Sequence, residues 1–175
     1  DDGVDGIKIG PEESEGQFYS EFQRYIKEHK QLGIVLNINS KNEYENAIAG
    51  LKHPDSELTE DDFVVIKANW DSKDRNFIDI AKELNVLPES LVFVDDNPAE
   101  RHIVTEQLKN VCAPELDVTQ HFIEYIDCNG FFEVTTLSKD DLNRNEMYKQ
   151  NLERAKAEGS FSNYKDYLIS LDMKD

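Results

Sequence analysis

Short runs of apolar residues alternate with helical segments along most of this chain, and this alternation restricts the folds it can adopt. The predicted strands occupy residues 34–38, 63–67, 91–94 and 111–113. The predicted helices, marked by apolar residues at three- and four-residue spacing, lie around 18–32, 43–52, 72–84, 98–108 and 122–126. Strands separated by helices and short connections are typical of parallel sheets covered by helices on both faces. The pattern predicts an α/β fold, a three-layer sandwich around a doubly wound, mostly parallel sheet.

The pattern changes toward both ends of the sequence. Residues 1–16 carry repeated glycines and a proline, which favour a loop. From Ser138 onward the sequence is polar and helical, with a weakly amphipathic helix over 142–157, a break at Gly159, and a last helix over 161–171. We therefore expect a main domain over 1–137, and over 138–175 a helical extension or a linker to a further domain.

The charge of the chain restricts its partners. It has 19 Lys and Arg against 37 Asp and Glu, a formal net charge of −18, which repels phosphate backbones and anionic lipid headgroups. This predicts no nucleic-acid partner and no membrane partner. Apolar runs stay well below the roughly 18 residues of a membrane-spanning helix, and residues 1–6 are acidic and Gly-rich, unlike a secretory signal. Its two cysteines fit reduced thiols, and we expect a cytoplasmic protein.

Polar side chains follow three of the predicted strands, where a parallel sheet binds its ligands. Ser40 follows the first strand, Lys73 begins the helix after the second, and Asp95 and Asp96 follow the third. A hydroxyl and an ammonium group are suited to holding phosphate oxygens, and adjacent carboxylates are suited to Mg²⁺. Together these residues predict a site for phosphoryl-transfer chemistry on a phosphorylated small molecule.

Each of these residues also has a purely structural interpretation. Ser40 would serve as a helix cap, Lys73 as a solvated surface lysine, and residues 95–98 as a turn leading into a helix capped by Asn97. Trp70, close to Lys73, either shapes a substrate pocket or lies in the core, and the core is the commoner place for a tryptophan. The four histidines show no metal-binding spacing.

With these residues identified, the chain resembles the haloacid dehalogenase superfamily of phosphotransferases, and more closely its FkbH-like branch, the subfamily IIIC phosphatases. The resemblance covers nearly the whole chain. The matching segments are 38–42, 67–73, 92–101 and 145–148, and the second and third of these are specific to the branch.

The resemblance implies a role for each candidate residue. Ser40 corresponds to the phosphate-binding second motif and Lys73 to the charge-stabilising third motif. Asp95, with Asp96, corresponds to the fourth motif, which holds Mg²⁺. It also implies a phosphatase or phosphotransferase domain of a biosynthetic enzyme. In the FkbH-like branch, a glyceryl unit from 1,3-bisphosphoglycerate is dephosphorylated and loaded onto an acyl carrier protein.

One departure from the family pattern bears on activity. The family's first motif is a strand followed by Asp-x-Asp, which supplies the nucleophile and the acid/base, and the resemblance places it just before Asp1. The motif does not occur in this sequence. We therefore expect the domain over 1–137 to lack its central strand, and this chain alone to lack turnover.

Two other interpretations stay open. One is a non-catalytic module of the same fold that binds a carrier protein or another partner through its helical tail, which carries Tyr164 and Tyr167. The other, based on fold alone, is a flavodoxin-like or response-regulator-like domain. No acidic residue at the first strand completes a receiver pocket, which disfavours the receiver interpretation.

Overall fold

Helices dominate the structure, a computed structural model that describes residues 14–133 and 136–160. The α-helices of these residues are α1 (Ser14–Gln31), α2 (Tyr44–Leu51), α3 (Lys73–Leu84), α4 (Pro98–Gln107), α5 (Phe122–Asp127), α6 (Lys139–Leu142) and α7 (Arg144–Ser160). The strands are β1 (Asn37–Lys41) and β2 (Val65–Asn69). Short 3₁₀ helices occupy Glu60–Asp62, Pro88–Ser90 and Thr119–His121. No helix among the described residues is long and apolar enough to cross a membrane. The predicted mixed α/β character is confirmed.

The two strands are parallel, but they lie later in the sequence than predicted. Their register runs from Asn37 opposite Val65 to Lys41 opposite Asn69. The strand pairing extends into polar residues because it depends on backbone groups and not on side chains. The Asn37 side chain adds one contact, accepting a hydrogen bond from the Val65 backbone amide at 3.1 Å. β1 therefore continues through Lys41, beyond the predicted end of the first strand at residue 38.

The predicted third strand, over 91–94, is reduced to a single bridge. Val92 pairs in parallel with Cys112, and the Phe93 amide donates to the Cys112 carbonyl at 2.8 Å. This segment also lines a cavity of about 620 Å³, which residues of β1 such as Asn39 line as well. Among the described residues, β1 pairs only with β2, so the ladder does not continue across this cavity. The lack of a central strand and the presence of a third layer in the sandwich stay predictions.

The helices bury the faces that their apolar spacing predicts. α3 buries Phe77, Ile80 and Leu84, and the last two pack with Val65 of β2. Leu152 of α7 joins the same cluster, so the described part of the polar C-terminal region packs on the sheet domain.

The boundaries at both ends differ in part from prediction. α1 begins at Ser14, inside the predicted loop, and α7 continues through the predicted break at Gly159. Helical backbone accommodates one glycine there, at a cost of about 1 kcal/mol. The rest of the predicted loop, 1–13, and the predicted last helix over 161–171 lie outside the described residues.

Two carboxylates link α1 to distant segments. Lys30 of α1 donates to Asp62 at 2.7 Å. Burial alone would raise the pKa of Asp62, but hydrogen bonds from Lys30 and Thr59 outweigh it and lower that pKa below its usual value. Tyr25 of α1 donates to Asp127 at 3.3 Å. Burial, with the charge of Asp127, raises the pKa of Tyr25 to about 12.

Gly33, between α1 and β1, has a φ of +92°, a conformation that L side chains rarely adopt. A Cβ at this position would overlap the backbone carbonyl of Asp141 in α6. Nearby, the Asn145 side chain of α7 donates to the carbonyls of Lys30 and Ile34, at 3.2 and 3.0 Å. The end of α1 therefore lies directly against α6 and α7.

Candidate active site

Two of the predicted site residues meet at the carboxyl edge of the sheet. Lys73 is the first residue of α3, and Asp95 follows the segment that bridges Val92 to Cys112. The Lys73 ammonium forms an ion pair with the Asp95 carboxylate, and their side chains are only 15% and 5% exposed. Partly withdrawn from water, the pair interacts more strongly than a surface ion pair. The interpretation of Lys73 as a solvated surface lysine is wrong.

The loop that carries Asp95 and Asp96 is held by Arg101 of α4. The buried guanidinium donates through Nη1 to the backbone carbonyls of Asp95, at 2.8 Å, and Asp96, at 3.0 Å. The Asn97 amide donates to Asp95 Oδ1 at 2.9 Å. The Asp96 side chain, in contrast, is exposed. The loop therefore fixes one carboxylate against Lys73 and leaves its neighbour accessible to solvent.

The structural interpretation of residues 95–98 is confirmed as well. Asn97 caps α4, because its side chain accepts a hydrogen bond from the Ala99 amide at 2.9 Å, and Pro98 occupies the first helical position. A helix cap and an acidic site are compatible here, because the cap uses Asn97 and leaves the carboxylates of Asp95 and Asp96 to other partners.

Ser40 lies in β1 opposite Ala68, not at the head of a helix, so the interpretation of Ser40 as a cap is wrong. Its two neighbours connect β1 to the rest of the site. Asn39 donates to the Lys73 carbonyl at 2.8 Å, and Lys41 forms an ion pair with Glu100 of α4 at 2.7 Å. These contacts bring Ser40 to the same edge, although it makes no hydrogen bond to Lys73 or Asp95.

The loop between β2 and α3 is held by reciprocal amide hydrogen bonds. Asn76, which is buried in α3, donates to Asn69 Oδ1 at 2.8 Å, and Asn69 donates back to Asn76 Oδ1 at 3.2 Å. Asn69 Oδ1 also accepts from the Asp71 amide at 3.0 Å. Trp70 lies in this loop, and its side chain is 61% exposed. The expectation that Trp70 lies in the core is therefore wrong.

Several residues of this edge were not singled out from the sequence. They are Lys41, Asn76, Glu100 and Arg101. Asn76 and Glu100 lie on helices whose polar residues mostly face solvent, so nothing in the spacing distinguishes them. Arg101 carries a usable signal, because an arginine four residues after a helix cap, on the buried face of the helix, requires polar partners.

Two acceptor atoms at this edge are buried without a hydrogen-bond partner, Asn39 Oδ1 and Glu100 Oε2. Buried acceptors are normally satisfied, so each has capacity for a donor. Among the described residues, no group of three or more His, Cys, Asp or Glu side chains comes together as a metal cluster. The carboxylates that the described residues bring to this edge are those of Asp95, Asp96 and Glu100.

Comparison with known proteins gives one result that bears on this site. The structure is similar to that of the N-terminal part of the protein BF1531 from Bacteroides fragilis, which contains a phosphatase domain and is complexed with Mg. The TM-score is 0.74 and the sequence identity 35%, over 78% of this chain and 37% of that chain. The chain shares the fold of the matched part of that structure. No family model and no curated protein matches the sequence.

This similarity agrees with the haloacid dehalogenase resemblance at the level of the fold and of a phosphatase-type domain. This chain spans little more than a third of the matched chain, so the activity of the longer protein bears on this one only as a proposal. The assignment to the FkbH-like branch stays a prediction.

Proposed function

We propose that this chain is a Mg²⁺-dependent phosphatase or phosphotransferase domain of the haloacid dehalogenase type, acting on a phosphorylated small molecule. The observation that carries the proposal is the buried ion pair between Lys73 and Asp95, which joins two strand ends at the edge where Ser40 also lies. The similarity to a phosphatase-containing structure complexed with Mg supports it.

Each residue has a role that its position supports. Ser40, at the end of β1, donates its hydroxyl to a phosphate oxygen. Lys73 shares its ammonium between Asp95 and the phosphate, and neutralises charge on the transferred group. Arg101 positions Asp95 and Asp96 through their carbonyls. The substrate phosphate then lies between strand ends that the Lys73–Asp95 pair already holds together.

The donor set at this edge fits Mg²⁺. It consists of carboxylate oxygens, and Mg²⁺ usually takes only one or two carboxylates, completing its shell with water and substrate phosphate. Each oxygen of Asp95 accepts one partner and has a lone pair left, and Asp96 is exposed. Asp95 and Asp96 are thus the residues that would hold the ion. When bound, Mg²⁺ supplies charge neutralisation to the phosphoryl oxygens.

A calorimetric titration of the full chain with Mg²⁺ and with inorganic phosphate tests this assignment. We expect Asp95→Asn to abolish Mg²⁺ binding and Lys73→Ala to weaken phosphate binding, with helical circular dichroism retained. Asp79→Asn, the same kind of change on a partly exposed carboxylate of α3, serves as the matched control. Unchanged Mg²⁺ affinity in Asp95→Asn would contradict the proposal.

The resemblance supports a finer proposal. In it, the domain belongs to a cytoplasmic FkbH-like enzyme that transfers a glyceryl unit from a phosphorylated three-carbon donor to an acyl carrier protein. Because no Asp-x-Asp motif occurs in the sequence, we expect the chain as given to bind phosphate and metal without turnover. The test is phosphate release from an aryl phosphate, with and without Mg²⁺. Mg²⁺-dependent release that disappears in Asp95→Asn would overturn the expectation of no turnover and strengthen the phosphatase assignment.

One observation favours a second candidate function, a non-catalytic module that binds a carrier protein or other partner. Lys73 already neutralises Asp95, so the pair is satisfied without a ligand, and the sequence supplies no Asp-x-Asp nucleophile. Such a module would bind an acyl carrier protein equally well after Lys73→Ala. Surface plasmon resonance with an immobilised acyl carrier protein, on the wild type and on Lys73→Ala, distinguishes the two functions. Loss of carrier-protein binding in Lys73→Ala is expected only if the phosphate site takes part in that binding.

A further inference from the structure

The cavity of about 620 Å³ is lined by two strand-like parts of the chain, residues from 33–39 and residues 90–94. Helices α1 and α3 contribute further lining, mostly apolar side chains such as Phe22, Ile26 and Ile80. Protein interiors are normally packed without voids larger than a water molecule. An apolar opening of this size within the domain therefore has room for a ligand, and its lining decides which kind.

Both strand-like parts have backbone groups free to form hydrogen bonds. Among the described residues β1 pairs only with β2, so one edge of β1 is unpaired. In residues 90–94 the Phe93 amide donates to the Cys112 carbonyl at 2.8 Å. Backbone groups of successive residues in extended chain point to opposite edges, so those of Val92 and Val94 point away from Cys112. Both valines line the cavity, and within the described part of the chain neither one makes a backbone hydrogen bond.

These unpaired edges favour a polypeptide over a lipid or another apolar molecule. An apolar molecule would cover the side chains but leave the backbone amides and carbonyls unsatisfied, and buried backbone groups are nearly always paired. An added strand pairs with both edges through its own backbone. The β1–β2 pairing and the Val92–Cys112 bridge are both parallel, so a parallel strand continues the existing arrangement. A parallel strand covered on both faces is apolar along its whole length.

We propose that the cleft between β1 and residues 90–94 binds an extended apolar segment of a partner polypeptide as a strand parallel to both. The segment is about five residues long, which matches the five residues of β1. The inference is independent of the proposed phosphatase activity, because it uses backbone groups and apolar side chains and does not require Lys73 or Asp95. The carboxyl end of the bound strand would reach the edge of the sheet where the candidate site lies.

The test is fluorescence anisotropy of the full chain with a labelled peptide of alternating valine and isoleucine, carrying lysines at its amino end for solubility. The same peptide with serine at the apolar positions is the matched control, because it keeps the lysine charges that an acidic protein attracts. A backbone N-methylated form keeps the side chains and removes the amide donors. We expect the apolar peptide to bind, and either change to weaken binding at least about tenfold. Equal binding of the N-methylated peptide, or displacement of the peptide by decanoate, would overturn the proposed strand.

Amide hydrogen exchange locates the bound peptide. The amides of Val92 and Val94 should exchange more slowly when the peptide binds, and the amide of Val118, which is exposed and lies outside the cavity lining, should not change. Protection of both amides before any peptide is added would mean that residues of the chain itself occupy the cleft, and would overturn the proposal. Peptide binding without any affinity for Mg²⁺ or phosphate would contradict the phosphatase proposal and leave this inference standing.

Discussion

Arg101 connects the acidic loop to α4, and its removal should be among the costliest single changes at this edge. Arg101→Met keeps the length of the side chain and deletes its hydrogen bonds. A hydrogen bond from a charged group contributes about 1.5–3 kcal/mol net. We take about 2 kcal/mol for the buried bond to the Asp95 carbonyl and about 1 kcal/mol for the partly buried bond to Asp96. The free energy of unfolding should therefore fall by about 3 kcal/mol.

The assay is urea denaturation followed by circular dichroism, with thermal unfolding as a second measure, where the same loss lowers Tm by about 6–12 °C. Asp117→Asn is the matched control, because it removes the charge of the other partner of the same guanidinium. Asp117 is 62% exposed, so its ion pair contributes only about 0–1 kcal/mol. The reasoning is refuted if Arg101→Met costs less than about 1 kcal/mol, or if the two variants are equally destabilised.

Three further predictions concern the scaffold around the site. Gly33→Ala should destabilise by about 2 kcal/mol or more, because it forces a side chain into a positive φ and against the Asp141 carbonyl, and a lowered Tm measures this. Asp62 has a lowered folded-state pKa, so its contribution is complete above the unfolded value of 3.8 and is lost as pH falls below it. The urea midpoint of Asp62→Asn should accordingly change less than that of the wild type between neutral and acid pH. Tyr25 has a raised pKa of about 12, so its contribution is complete below pH 10.0 and is lost as pH rises toward 12. Ultraviolet difference spectra should show a tyrosine that ionises near pH 12; Tyr25→Phe should remove that step, and Asp127→Asn should move it to lower pH.

The sequence predicted the helices better than the strands. Apolar spacing located α3 and its buried face correctly, because a helix on a sheet buries one continuous stripe of side chains. The limits of a strand depend on which backbone groups pair with a neighbouring strand, and the types of the side chains do not reveal that pairing. Polar Asn37 and Ser40 therefore lie inside β1, and the strongly apolar segment 91–94 forms only one bridge.

At the site, residue type and position after a strand were enough to select Lys73 and Asp95, which prove to be in contact. The same argument placed Ser40 at the correct edge of the sheet, but Ser40 makes no hydrogen bond to Lys73 or Asp95. Glu100 could not be predicted as a supporting residue, because its partner Lys41 lies 59 residues away in the sequence. Asn76 could not be predicted either, because its contact with Asn69 depends on how the loop between β2 and α3 folds back. For Trp70 the expectation from sequence was wrong. Tryptophan is usually buried in the core, but the Trp70 side chain is exposed.

The contacts that assemble the carboxyl edge also bear on the order of events in folding. Asn39 reaches Lys73 across 34 residues, Lys73 reaches Asp95 across 22, and Lys41 reaches Glu100 across 59. Each requires closure of a long loop, whose entropy cost must be met before the contact forms, so we expect these links to be absent from the folding nucleus. Variants that break them, such as Glu100→Gln, should speed unfolding and leave the refolding rate nearly unchanged. The edge where a ligand would bind is then assembled after the folding transition state.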